Sequence, residues 1–184
     1  LNLVQNETER IDSKFFEPAC GDGNFLTAIL DRKIKINEKN ISVKYQYEIG
    51  LLIISSSLYG VDILEDNIVN AKKRLTEAIL NNYKQNFSND LNQNLIKSIK
   101  YIFNKNILYG DALSLTKNKE PLIFCEWGLV KNKIKRRDFK FADLLAYSPF
   151  DENSLFSDLN EKIFIPSPHK EFKLIDFDKV YELC

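Results

Sequence analysis

Methionine is absent from all 184 residues, even from position 1, so the sequence is expected to start downstream of its natural initiation site. Net charge is lacking too. Twenty-six Lys and Arg balance 26 Asp and Glu, which removes any global field that would draw the molecule to nucleic acid and leaves that role to local patches. Cysteine is scarce and scattered: Cys20, Cys125 and Cys184 are odd in number and far apart, which excludes a disulfide framework and a zinc site and suits a reducing compartment. No apolar run approaches the roughly 18 residues that a membrane span needs, and no signal peptide is visible, so a cytoplasmic location is expected, with no membrane and no metal partner. The only histidine, His169, is remote in sequence from Cys20, so Cys20 reads as a space-filling residue rather than a nucleophile.

What is present points to a globular α/β domain. Hydrophobic residues make up 44% and charged residues 28%, and the length suits one core with a small appendage. Phe15-Phe16-Glu17-Pro18-Ala19-Cys20-Gly21-Asp22-Gly23-Asn24-Phe25-Leu26 passes from an apolar run through a two-glycine turn into helical spacing. That order, strand then glycine turn then helix, presents backbone N–H groups to a ligand beyond the strand's carboxyl end. Glu17 at the strand end disfavours a pyrophosphate and suits a cationic or donor-rich ligand.

A lead-in helix is expected over 1–13, strands over 14–18, 58–63 and 106–113, and helices over 23–33, 41–56, 64–84 and 95–105, with 34–40 as a loop. Phe25, Ile29 and Leu30 should face the sheet. Strands separated by helices predict a parallel sheet with right-handed crossovers. After Leu115 the pattern changes. Residues 121–127 and 129–136 read as a hairpin turning near Gly128, residues 138–146 as a short helix, and the remainder as an irregular tail. Thus 1–115 is expected as the ligand-binding core, and 116–184 as hairpin, helix and tail packed on the same domain.

Glu17, Asp62 and Asp111 each follow a predicted strand, so they should line one crevice. An acid after the second strand can hold two ribose hydroxyls, and one after the third can accept an adenine amino group. Asp62 can equally cap the next helix, and Asp111 can equally be a turn residue. Lys131, Lys133, Lys135 and Arg137 would share one strand face; together with Arg136 they are the candidate phosphate contacts, unless the run is simply solvated. Trp127 is either a hairpin core anchor or a stacking platform. His169 is read as an exposed tail residue.

Glu17-Pro18-Ala19-Cys20-Gly21-Asp22-Gly23-Asn24-Phe25-Leu26 closely resembles the cofactor motif of the amino-type (N6-adenine) DNA methyltransferases, in which an acid precedes Pro-Ala-Cys-Gly-x-Gly-x-Phe-Leu. Tyr59-Gly60-Val61-Asp62-Ile63 and Asn106–Leu113 look like that family's second and third motifs, in the right order, over about residues 14–115. The resemblance implies a Rossmann-like class I S-adenosylmethionine-dependent methyltransferase fold, partly truncated, with an added β-hairpin and an irregular C-terminal tail. It implies S-adenosyl-L-methionine as cofactor, bound by Glu17, Pro18, Ala19, Cys20, Gly21, Gly23, Phe25, Asp62 and Asp111, with Ile63 and Ala112 on either side of the adenine. It also implies restriction-modification methylation of DNA adenine, as a whole enzyme, a fragment or a subunit working with a second methylase or restriction subunit.

The family's Asn/Asp/Ser-Pro-Pro-Tyr/Phe catalytic tetrapeptide is absent. The nearest match is Ser148-Pro149-Phe150, one proline short, and these three residues are the catalytic candidates: a polar group accepts hydrogen bonds from the target amine while the aromatic stacks on the flipped base. A non-catalytic, cofactor-binding module that docks on a restriction-modification partner is the alternative, and the cofactor motifs alone leave RNA or protein open as acceptor.

Overall fold

The computed structural model describes residues 5–88, 90–145 and 167–183. A short helix α1 (Gln5–Thr8) leads into strand β1 (Phe15–Glu17) and helix α2 (Asn24–Asn37). Helix α3 (Lys44–Ser56), strand β2 (Leu58–Asp62), helix α4 (Glu65–Phe87), helix α5 (Gln93–Asn106) and strand β3 (Ile107–Tyr109) follow. The three strands form a parallel sheet in the order β1-β2-β3, with Glu17 opposite Gly60 and Asp62 opposite Tyr109. Every residue of β2 is buried, so both faces of the middle strand are covered, which is how parallel strands separated by helices are shielded. The expected mixed α/β architecture with a parallel sheet is therefore present.

Helix α2 runs four residues further than the spacing predicts, and a 3-10 turn (Glu38–Asn40) fills the expected loop. The buried stripe of α2 is Leu26, Ile29, Leu30, Lys33, Ile34 and Asn37. Its last member escapes a hydrophobicity count because it is polar, yet it is buried and donates through Nδ2 to the Tyr47 carbonyl at 2.9 Å. Phe25, expected to face the sheet, is 42% exposed; it lies about 100° around the helix from Leu26, outside that stripe. Helix α1 covers only part of the expected 1–13.

The second half also departs in detail. Strand β3 stops at Tyr109, and the chain folds back through a two-strand ribbon, β4 (Thr116–Lys117) and β5 (Glu120–Pro121). The main hairpin pairs β6 (Ile123–Val130) with β7 (Lys133–Lys140) and turns at Lys131 and Asn132, not at Gly128, which sits inside β6 opposite Lys135. Lys131 supplies the positive φ, 57°. Strand β7 continues through Lys140, so the short helix α6 (Phe141–Leu145) starts three residues later than expected. The described part of the expected tail contributes two short strands to β7, namely β8 (Lys170–Glu171) and β9 (Ile175–Asp176). A 3-10 stretch over Phe177–Glu182 then buries Phe177 and Val180. Trp127 is buried and donates Nε1–H to Asn106 at 2.9 Å, so it anchors the hairpin.

Among the described residues one lysine is buried in the core. Lys33 donates to the Ile11 carbonyl at 3.2 Å, to the Ser13 carbonyl and to Ser57 Oγ at 2.8 Å, and its ammonium lies 5.0 Å from the Phe15 ring centre. Burial lowers its pKa from 10.5 to about 8, while Asp12 and Glu7 pull the other way. The unfolded chain therefore holds this proton more firmly than the folded one. Stability should rise with pH between about 8 and 10.5, where the folded chain has released the proton and the unfolded chain still holds it. Cys20 and Cys125, raised by burial from 9.0 to about 12, act in the opposite sense at the alkaline end. Both thiols are unchanged in Lys33→Met, so comparison with that variant isolates the lysine. In urea titrations, wild type is expected to gain on the order of 2 kcal/mol relative to Lys33→Met between about pH 7.5 and about pH 10.5. A pH-independent difference would contradict a neutral buried lysine.

Candidate functional site

The carboxyl ends of β1, β2 and β3 lie side by side, so the loops that follow them meet. Cys20 N–H donates to the Val61 carbonyl at 3.0 Å, and Gly110 N–H to the Asp62 carbonyl at 3.0 Å. These two backbone bonds tie the first and third loops to the end of β2. Gly21 and Gly23 take φ of 53° and 86°. A Cβ on Gly23 would come within 3.0 Å of Ala71 Cβ on α4, so glycine there allows the start of α2 to approach α4 closely. A Cβ on Gly21 would meet nothing within 4 Å, which leaves open space beside the turn. Gly23 offers no side-chain cap to the first N–H groups of α2. From α4, Arg74 pairs with Asp22 at 2.6 Å and donates to Asn24, clamping the turn from outside.

Asp62 is the joint of this arrangement. Its Oδ2 accepts the Gly21 N–H at 2.9 Å, and its Oδ1 accepts the Leu64 N–H at 2.9 Å and the Asn67 side-chain amide at 3.0 Å. Burial pushes its carboxyl upward, but these three donors outweigh that and hold it below the ordinary aspartate value. Neither role foreseen for Asp62 describes this fully: its side chain accepts a bond just before α4 and also reaches back across 41 residues to the glycine turn. A carboxylate has about four lone-pair directions, so one at Oδ2 remains for a ligand donor.

Around this joint stand the other candidates. Glu17 is half-buried and accepts the Ala19 N–H at 3.3 Å; Pro18 and Ala19 are exposed. Cys20 is buried beneath the turn, and its thiol is pushed up to about 12, first by desolvation and then by Asp62, which suits a filler and not a nucleophile. Asp111 closes a turn by accepting the Leu113 N–H at 2.8 Å, and that bond leads the causes that hold its carboxyl below the usual range. Ala112 is half-buried. Apolar side chains at the strand ends remain in solvent: Ile63 is 66% exposed, and Leu64, Leu113 and Phe25 are also exposed. Large apolar groups left bare beside a carboxylate with one open acceptor direction suit a flat ligand that carries donors. Sequence reasoning missed Asn67 and Arg74: Asn67 lies in the first turn of α4, one turn from Ile63, and that spacing was the available signal, whereas Arg74 sits two turns further along α4 and had none.

The candidates for base chemistry and phosphate contact fare differently. Ser148, Pro149 and Phe150 lie outside the described residues. Lys133, Lys135 and Arg137 do share the outward face of β7, but each has a carboxylate: Asp176 at 3.7 Å, Glu171 at 3.0 Å and Glu126, respectively. Arg136 points the other way and is 4% exposed, bidentate to Asp138 at 2.7 Å, so it is corrected from a phosphate contact to a core residue. The alternation of a strand explains this, since residue 136 falls on the opposite face from 135 and 137. Among the described residues no group of three or more His, Cys, Asp or Glu could hold a metal ion, and no helix is long and apolar enough to cross a membrane.

Comparison with protein-family models, with curated proteins and with solved structures returned no match.

Proposed function

We propose that this chain binds S-adenosyl-L-methionine at the joined strand ends and serves DNA adenine-N6 methylation of the restriction-modification type, as an enzyme or as a subunit of one. The observation that carries the proposal is Asp62. One carboxylate knits the glycine turn to the middle strand and keeps one oxygen direction for a ligand hydroxyl, beside an exposed Ile63. On this reading the sheet is the first half of a Rossmann-like class I methyltransferase core, and the chain's motifs at Glu17–Leu26, Tyr59–Ile63 and Asn106–Leu113 are its cofactor contacts.

Bound there, the cofactor supplies a sulfonium methyl group. The chain's work is to hold and orient. Gly21 and Gly23 let the backbone come close, Asp62 Oδ2 accepts a ribose hydroxyl, and Asp111 accepts the adenine amino group through lone pairs beyond the turn bond. Ile63 and Ala112 cover the two faces of the ring. Ser148 or its neighbouring backbone would accept hydrogen bonds from the target amine, with Phe150 stacked on the base.

A second reading, a cofactor-binding module that docks on a catalytic partner, is favoured by one observation: β1 has no strand on its outer side among the described residues. An unpaired edge can accept a strand from another chain. Calorimetry with S-adenosylmethionine, followed by transfer of labelled methyl to adenine-containing DNA, separates the two. Absence of cofactor binding would sink both. Binding with no transfer by the chain alone supports the module, and transfer lost in Ser148→Ala and Phe150→Ala supports the enzyme.

A further inference from the structure

The cations of the hairpin ridge are paired, but another set is not. A cleft of about 700 Å³ runs between α4, the outer side of β3, the β4–β5 ribbon and β8, and Lys72, Lys105, Lys117 and Lys170 line it from four different elements. Among the described residues, none of these four forms an ion pair. Glu65 and Glu120 also line the cleft, and the Arg136–Asp138 pair at its wall is internally neutral, so positive charge is in excess. Three of the ammonium groups rest against rings: Lys105 at 5.5 Å from the Tyr101 centre, Lys117 at 5.2 Å from Tyr109, and Lys170 at 4.5 Å from Phe172.

Lys72 on α4 and Lys117 on β4 line the same cleft. The Lys72 ammonium is depressed first by lost hydration and then by Lys117, with Glu65 opposing. Like charges that face one cleft repel each other, which Glu65 offsets in part. The ribbon that carries Lys117 turns through Asn118 and Lys119, both with positive φ (51° and 70°), a backbone form that L residues adopt at a cost. Asn104 and Asn118 line the same walls. The cleft is much larger than one phosphate, and its cations come from four different elements.

We infer that this cleft takes the sugar–phosphate backbone of a nucleic acid, with the four lysines meeting successive phosphates. The choice of nucleic acid as the polyanion rests on the methyltransferase reading; the excess of unpaired cations does not. Strand contact thereby moves from the hairpin ridge to the α4 side of the sheet, next to the loop that follows β3.

Fluorescence anisotropy with a labelled DNA oligonucleotide, at several salt concentrations and on the full chain, tests this. Lys72→Gln/Lys117→Gln is expected to weaken binding about tenfold or more and to reduce the slope of log K against log salt by about 1.5–2. Lys133→Gln/Lys135→Gln on the hairpin ridge is expected to change affinity less than about twofold, since both lysines already have carboxylates. Equal affinity and slope in the cleft variant, a larger loss in the ridge variant, or no DNA binding by wild type would each overturn the inference. So would lysine-dependent binding of tripolyphosphate that DNA does not displace, which would make the cleft a small-anion site. Calorimetry with S-adenosylmethionine on the same proteins keeps the two proposals apart. Cofactor binding without DNA binding leaves the crevice standing and removes the cleft, and lysine-dependent DNA binding without cofactor does the reverse. Retained cofactor affinity in the cleft variant also shows that it is folded.

Discussion

Asp62→Ala is expected to lower S-adenosylmethionine affinity at least about 100-fold, a loss of roughly 2.7 kcal/mol, and to destabilise the fold by about 2–4 kcal/mol. Two effects add. The ligand loses a charged acceptor for a ribose hydroxyl. The chain loses the acceptor for Gly21 N–H, Leu64 N–H and the Asn67 amide, in a place where the side chain was 8% exposed and water reaches poorly. Asp62→Asn separates these effects. It keeps the volume and one carbonyl oxygen for the Leu64 and Asn67 donors, but it presents a donor or nothing to Gly21. Its stability should lie between the other two proteins, while its cofactor affinity should stay near that of the alanine variant. Thermal unfolding gives the first quantity and calorimetry the second. Cofactor affinity within threefold of wild type in Asp62→Ala would remove the ribose role. Because the native carboxyl sits below the ordinary aspartate range, neither quantity should titrate through this group near neutral pH.

Arg136→Leu should cost about 3–5 kcal/mol, a large share of the 5–15 kcal/mol that holds a typical domain together. The guanidinium meets Asp138 through two parallel bonds, donates to Tyr101 and to the Leu183 carbonyl, and stacks 4.1 Å from the Phe172 ring centre. Removing it leaves Asp138, only 6% exposed, as a buried carboxylate with no cation. The double variant Arg136→Leu/Asp138→Leu removes both charges together, so its cost should fall well short of the two single losses combined. Urea unfolding of the four proteins measures the coupling. Additive losses would show that the pair acts through packing alone.

The glycine turn and the ends of β1 and β2 were legible because their signals are local, whereas β3 stops at Tyr109, short of the expected 113. The apolar run broken by Gly21 and Gly23, and the run that ends at Asp62, carry strand, turn and helix within a few residues of one another. What was not legible depended on partners distant in the chain. Nothing near Lys133, Lys135 or Arg137 announces Asp176 and Glu171, which reach them only after β8 and β9 pair with β7. Arg136 was countable as a surface charge only while Asp138 was ignored, although the two stand on one face of the same strand. The hairpin turn was misplaced because Gly128 drew attention as a turn former, whereas Lys131 takes the left-handed backbone and Asn132 completes the loop. Asn37 and Lys33 show a related limit: both are polar residues in a buried stripe, satisfied by carbonyls that no periodicity displays.

Residues 177–183 close the molecule over α5. Ser98 Oγ donates to the Asp178 carbonyl at 2.8 Å, Asn92 reaches the Asp178 carboxylate, and Phe177, Val180 and Leu183 are buried. During synthesis the parallel sheet can assemble once β3 has left the ribosome, but α5 then shows an apolar flank with nothing to cover it until more than sixty further residues emerge. At translation speeds of about 5–20 residues per second, that interval lasts several seconds, a period in which a half-covered helix is open to chaperones, proteases and association with other nascent chains.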